Sequence, residues 1–111
     1  MIEKIIIRYL KSALNVAPYM EYPESPPGSF VVVEKTGGGE SNKVYSATVA
    51  VQSIATTLVG AAELNEQVKS AMSTLANDPQ VGSVSLNSDY NFTDPATKRY
   101  RYQAVFDIKH Y

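Results

Sequence analysis

The side chains able to do chemistry in this sequence are few, and their spacing decides against most chemistries. The single histidine is His110. A nucleophilic triad needs a histidine steadied by a third group and aimed at a hydroxyl or thiol, and a residue so near the end of the sequence is a poor candidate for such fixing. There is no cysteine, which removes thiolate metal sites, disulfides and thiol catalysis. One histidine among scattered carboxylates has no metal-ligand spacing. Glu63 with Glu66, and Asp89 with Asp94, are the paired acids. Acid/base work of the glycosidase kind would need two carboxyls facing across a cleft in different environments, and glutamates on a helix surface are ordinarily solvated. Gly37-Gly38-Gly39 resembles a phosphate cradle, but such a loop follows a strand and opens a helix. Here the glycines lead into another strand. The expectation is a protein without catalysis, cofactor or metal.

Composition points the same way. The sequence has 111 residues, 44% of them hydrophobic and 19% charged, with a formal net charge of −1. That is enough for one domain, 1–111, with one core. Near-neutral charge argues against nucleic-acid binding as the main task, which favours a basic excess. The first residues meet charge at Glu3 and Lys4, too early for a secretory signal. No apolar run approaches the roughly twenty residues that span a bilayer, so a soluble protein folding in a reducing, cytoplasmic setting is expected.

The charges are unevenly placed. From Tyr45 to Thr97 the only basic residue is Lys69, against Glu63, Glu66, Asp78, Asp89 and Asp94. The last segment reverses this with Lys98, Arg99, Arg101 and Lys109 against Asp107. Such asymmetry suits head-to-tail contact between copies, and suits solvated faces equally well. There are eight tyrosines and no tryptophan, with Tyr90, Tyr100, Tyr102 and Tyr111 near the C-terminus. Tyrosine is favoured at interfaces and also pairs across strands inside sheets. Sharing a face with Phe106 and Ile108 assigns Tyr100 and Tyr102 to the core, and Tyr111 to the opposite face as an interface candidate.

These residues must be positioned by elements that periodicity reveals. Ile2, Ile5, Ile6, Tyr9, Leu10, Ala13 and Leu14 make one apolar helical stripe, with Ile7 off it, and Asn15 and Pro18 end the helix. A short extended piece, Pro18 to Tyr22, precedes the proline-rich link Pro23 to Gly28. Phe30 to Glu34 reads as a strand inside the sheet. Thr36 to Asn42 reads as a flexible connector, making Gly37, Gly38 and Gly39 a mobile hairpin tip. Val44 to Ser53 alternates, with Tyr45, Ala47, Val49 and Val51 on the buried side. A second helix begins at Thr56 or Thr57, buries Ala61, Leu64, Asn65, Val68, Ala71, Met72 and Leu75, and stops at Asn77-Asp78-Pro79. Val81 to Phe92 places Val84, Leu86, Tyr90 and Phe92 on one face. After a turn at Thr93 to Thr97, Tyr100 to Tyr111 is the last strand. The expected fold is α+β in the order α-β-β-β-α-β-β: an antiparallel or mixed sheet of four to five strands, with both helices on one face.

Over nearly its whole length the chain resembles the tail-terminator and head-to-tail joining proteins of long-tailed bacteriophages and prophages. Four stretches carry the likeness: IIIRYLKSALN (5–15), YMEYPESPPGSFVVVEKTGGGESN (19–42), YSATVAVQSIATTLVGAAELNEQVKSAM (45–72) and SVSLNSDYNFTDPATKRYRYQAVFDI (83–108). The resemblance implies a ring, typically a hexamer, that caps the tail-tube protein and meets a neck or head-completion protein, assembled in the bacterial cytoplasm and carried in the virion. DNA would pass through the lumen without specific binding, and no membrane is involved. The family has no catalytic motif to carry over. The interface candidates are Gly37, Gly38, Gly39, Glu40, Lys98, Arg99, Arg101 and Tyr111. A head-closure or tail-tube subunit, or a monomeric module holding a peptide or small ligand, are the alternatives.

Overall fold

The computed structural model describes residues 2–94, 96 and 99–111. Helix α1 covers Ile2–Ala13, with Ile2, Ile5, Ile6 and Leu10 buried. The apolar stripe is therefore the packing face, as the 3.6-residue period requires. Ala13 is exposed at the helix end, and Ile7, off the stripe, still packs partly buried against the core. Strand β1 is only Pro18–Tyr19, β2 is Phe30–Ser41, and β3 is Val44–Ala55. Helix α2, Leu58–Ser73, is capped by Thr57, whose hydroxyl accepts the Gly60 N–H at 3.0 Å. A 3₁₀ turn at Leu75–Asn77 leads to β4, Val81–Asn91, and β5 is Tyr100–His110.

The five strands lie in the order β1-β2-β3-β5-β4. β1 is parallel to β2, and the other neighbours are antiparallel. The sheet is mixed because the link from β1 to β2 crosses over the sheet rather than turning back as a hairpin. Both helices pack on one face, around Val31, Val33, Val49, Val51, Phe106 and Ile108 from the strands and Leu64, Val68 and Met72 from α2. Two polar side chains enter this layer fully buried, Ser53 and Asn65. The Ser53 hydroxyl and the Asn65 carbonyl oxygen have no hydrogen-bond partner.

Three expectations are corrected. Gly37, Gly38 and Gly39 are not a mobile tip: they lie in β2, opposite Thr48, Ala47 and Ser46. The turn is the two-residue Asn42-Lys43, both at positive φ (52° and 66°), the left-handed pair that matches hairpin twist. A Cβ on Gly38 would lie 3.0 Å from the Ser46 carbonyl oxygen, so at least this glycine answers a close approach within the ladder. Second, β4 does not alternate cleanly. The ladder slips between Leu86 and Ser88, so Asn87 is an extra residue that exchanges the faces of everything after it. Val84 and Leu86 stand on the helix side, but Tyr90 pairs with Gln103 on the opposite side. Third, Tyr100 is 40% exposed and Tyr102 only half-buried, although their partners across β3, Ala55 and Ser53, are buried. The turn foreseen at 93–97 falls partly outside the described residues.

Candidate interaction surface

The sheet face away from the helices divides into two regions. At one end Phe30, Val32 and Ile54 form a small second core with Tyr19. Tyr19 and Tyr22 meet the Phe30 ring edge-on at centroid distances of 5.9 and 5.2 Å. The Arg99 guanidinium lies 5.8 Å from the same ring, and its Nη1 donates to the carbonyls of Pro27 (2.7 Å) and Gly28 (3.2 Å). Arg99, foreseen as an interface residue, thus fastens the proline-rich segment onto the sheet. A proline-rich stretch offers few donors but many carbonyls, and a guanidinium supplies donors in a planar fork.

Over the rest of this face no helix packs, and the strands carry a polar network. Gln52 Nε2 donates to Gln103 Oε1 (3.0 Å), and Gln103 Nε2 donates to the Tyr90 hydroxyl (2.6 Å). Arg101 Nη1 donates to Gln52 Oε1 (3.4 Å) and its Nε to the Phe92 carbonyl (3.2 Å), with the guanidinium 5.1 Å from the Phe92 ring. Thr48 and Asn87 both donate to Asp107, at 3.3 and 3.0 Å. Lys109 Nζ donates to Ser46 Oγ at 2.9 Å. Tyr90 and Phe92 remain 41% and 44% exposed. This is a preorganised polar surface with aromatic area, suited to broad contact rather than to enclosing a ligand.

The helix side has an open groove between α1 and α2 of about 450 Å³, lined by Tyr9, Leu14, Asn15, Gln67, Ser70 and Thr74. The Tyr9 and Thr74 hydroxyls hydrogen-bond across it. It holds no cluster of titratable groups, and among the described residues no three His, Cys, Asp or Glu gather as metal ligands. His110 is held better than its place in the sequence suggested: it lies in β5, stacked on Tyr45 at 5.4 Å. Its Nε2 is buried without a hydrogen-bond partner.

One ion-pair cluster joins α2 to β4. Lys69 Nζ lies 2.9 Å from both Asp89 Oδ2 and Glu66 Oε1, and Asn65 Nδ2 donates to the same Asp89 Oδ2 at 3.0 Å. The Lys69 hydrogen bond, joined by that of Asn65, holds the Asp89 carboxyl below its ordinary range although burial opposes this. Asp89 and Glu66 in turn raise the Lys69 ammonium. A carboxylate with a lowered folded-state pKa stabilises the fold above about pH 4, its unfolded value, and loses this as pH falls through the folded value. The raised lysine stabilises below about pH 10.4 and loses this as pH rises further. The melting temperature of wild type should therefore exceed that of Asp89→Asn at neutral pH and converge with it in acid. The corresponding difference in stability should stay within the ~1 kcal/mol of surface pairs. A gap that persists unchanged in acid would show that the charge is not responsible.

Comparison of the sequence with known proteins decides nothing further. No family model and no curated protein matches the chain.

The structure gathers some candidates and separates others. Gly37, Gly38, Gly39 and Glu40 lie along the exposed half of β2, Arg99 and Arg101 stand at the far end of the open face, and Tyr111 is 67% exposed beside Gly82. Lys98 lies outside the described residues. Sequence reasoning missed Gln52, Gln103 and Tyr90 as one network, because alternation places each on a face but does not give the pairing of β3, β5 and β4. Asn65 carried a readable signal, a polar residue on an apolar helical stripe.

Proposed function

We propose that this chain is a structural assembly subunit of a long-tailed bacteriophage or prophage. In this reading it caps the tail tube as a ring, closed by six copies in the manner the resemblance implies, and joins the tube to the neck. The reading rests on the likeness of the four stretches that span 5–108. The geometry that supports it best is a sheet whose face away from the helices is left uncovered by any helix and carries an exposed polar and aromatic surface beyond the Phe30 end, with strand edges open on both sides. A surface of that kind suits contact with other subunits better than conversion of a small molecule. A ring needs a heterologous contact, one patch against a different patch on the next copy.

The test is assembly. Light scattering and negative-stain microscopy over rising concentration, with and without added tail tubes, should reveal closed rings. A strict monomer under every condition, tail tubes included, would count decisively against the reading and favour a monomeric binding module.

A further inference from the structure

Both outer edges of the sheet end in long strands without partners. β1 pairs with β2 only at Val31 and Val32, and the following run Glu34–Ser41 is exposed throughout. On the other side β4 is bordered by β5 alone among the described residues. Edge strands are ordinarily guarded by lysine, proline or bulges. β4 has two bulges, but no lysine or proline, and its one charged residue is Asp89.

The two edges fit each other. Three successive antiparallel pairings separate β2 from β4, so the two strands run in opposite directions. A second copy placed beside the first in the same orientation therefore presents its β2 antiparallel to the first copy's β4. The main-chain pattern selects a register. The Val31 N–H points outward, donating to Ala17 O at 3.2 Å, so alternation turns the N–H and C=O of Lys35 outward as well. The Phe92 N–H donates inward to Arg101 O at 2.7 Å, so the backbone of Asp89 faces outward by the same rule. Lys35 pairs with Val49 and Asp89 with Ala104, both on the helix side, so both side chains leave on that side. Among the described residues Lys35 makes no ion pair. Lys69 and Asn65 both use Asp89 Oδ2, leaving Oδ1 for a second cation.

Resting on the assembly reading above, we infer that copies of this chain join edge to edge, Glu34–Ser41 of one continuing the sheet along β4 of the next, with Lys35 opposite Asp89. The helix layers of successive copies then lie on one side of a shared sheet, as closure into a ring requires.

The absence of cysteine makes the test clean. Lys35→Cys and Asp89→Cys proteins, purified separately, mixed under assembly conditions and mildly oxidised, should form the mixed cross-linked dimer. Paired positions in a ladder meet the distance a disulfide needs. Glu34→Cys mixed with Asp89→Cys should not cross-link, because their side chains leave on opposite faces. As a second measure that spares the Asp89 cluster, Lys35→Glu should raise the concentration for half-assembly by roughly tenfold, through like charges set opposite. Rings that form without the cross-link and ignore Lys35→Glu overturn the edge pairing and leave the ring itself standing. A chain that never assembles, even on tail tubes, overturns the assembly reading and this inference with it.

Discussion

Replacing Phe106 by alanine is expected to cost about 3–5 kcal/mol, the usual penalty for deleting a buried aromatic and leaving a cavity. Phe106 is 2% exposed, sits in β5 between Val49 of β3 and Leu86 of β4, and belongs to the cluster that both helices cover. A domain of this size is held by only about 5–15 kcal/mol in total. Urea melting should show the midpoint falling sharply with an unchanged slope, the mark of lost stability without a change in the surface exposed. Leu86→Ala makes a matched control. Its side chain stands directly across from Phe106 but is 47% exposed, so its loss should stay below about 1 kcal/mol by the area rule. Equal costs at the two positions would mean that the helix layer does not define the core as described.

Phe30→Ala should cost about as much, 3–5 kcal/mol at the site, but the damage should be local first. Phe30 is fully buried, yet it lies on the face opposite the helices, held by Tyr19, Tyr22 and Arg99. Its removal takes the apolar seat from beneath the proline-rich segment. That segment has no sheet ladder of its own beyond the two-residue β1. Amide exchange or limited proteolysis of residues 18–29 should therefore rise well before the rest of the fold opens. Arg99→Ala should produce the same local opening in weaker form, since it removes the clamp and leaves the seat. Uniform destabilisation without local opening would show that the segment is bound to the main core by other means.

The parts legible in the sequence were those written in period. The α1 stripe, the buried face of α2 including Asn65, a threonine cap at 56 or 57 and the alternation of β3 from Ala47 onward all follow from side-chain spacing, which each element carries within itself; Tyr45, read on the buried side, is 43% exposed at the hairpin end. The element order and the placing of both helices on one face followed from these. What stayed hidden depends on partners. Gly37 to Gly39 carry no strand signal of their own and are extended because β3 supplies the other half of the ladder. The true turn, Asn42-Lys43, lacks the glycine that marks most such turns. The parallel seat of β1 is two residues long, too short for any pattern. Of the interaction surface, Tyr111 was legible as exposed. The Arg99 clamp and the Gln52, Gln103 and Tyr90 network were not, since each joins residues brought together by the sheet.

The bulge at Asn87 gives β4 a phase as well as a sequence. Between the bulge after Val81 and the one at Asn87, even-numbered residues look toward the helices; downstream of Asn87 the odd-numbered ones do, which is how Asp89 reaches Lys69 while Tyr90 reaches Gln103. A substitution at Asn87 changes one side chain. Removing that residue would act as a frameshift in space, driving Tyr90 toward the helix layer and Asp89 away from its lysine. Variation along this strand thus falls into two unequal kinds: changes of letter, felt where they occur, and changes of length, felt by every residue up to Asn91.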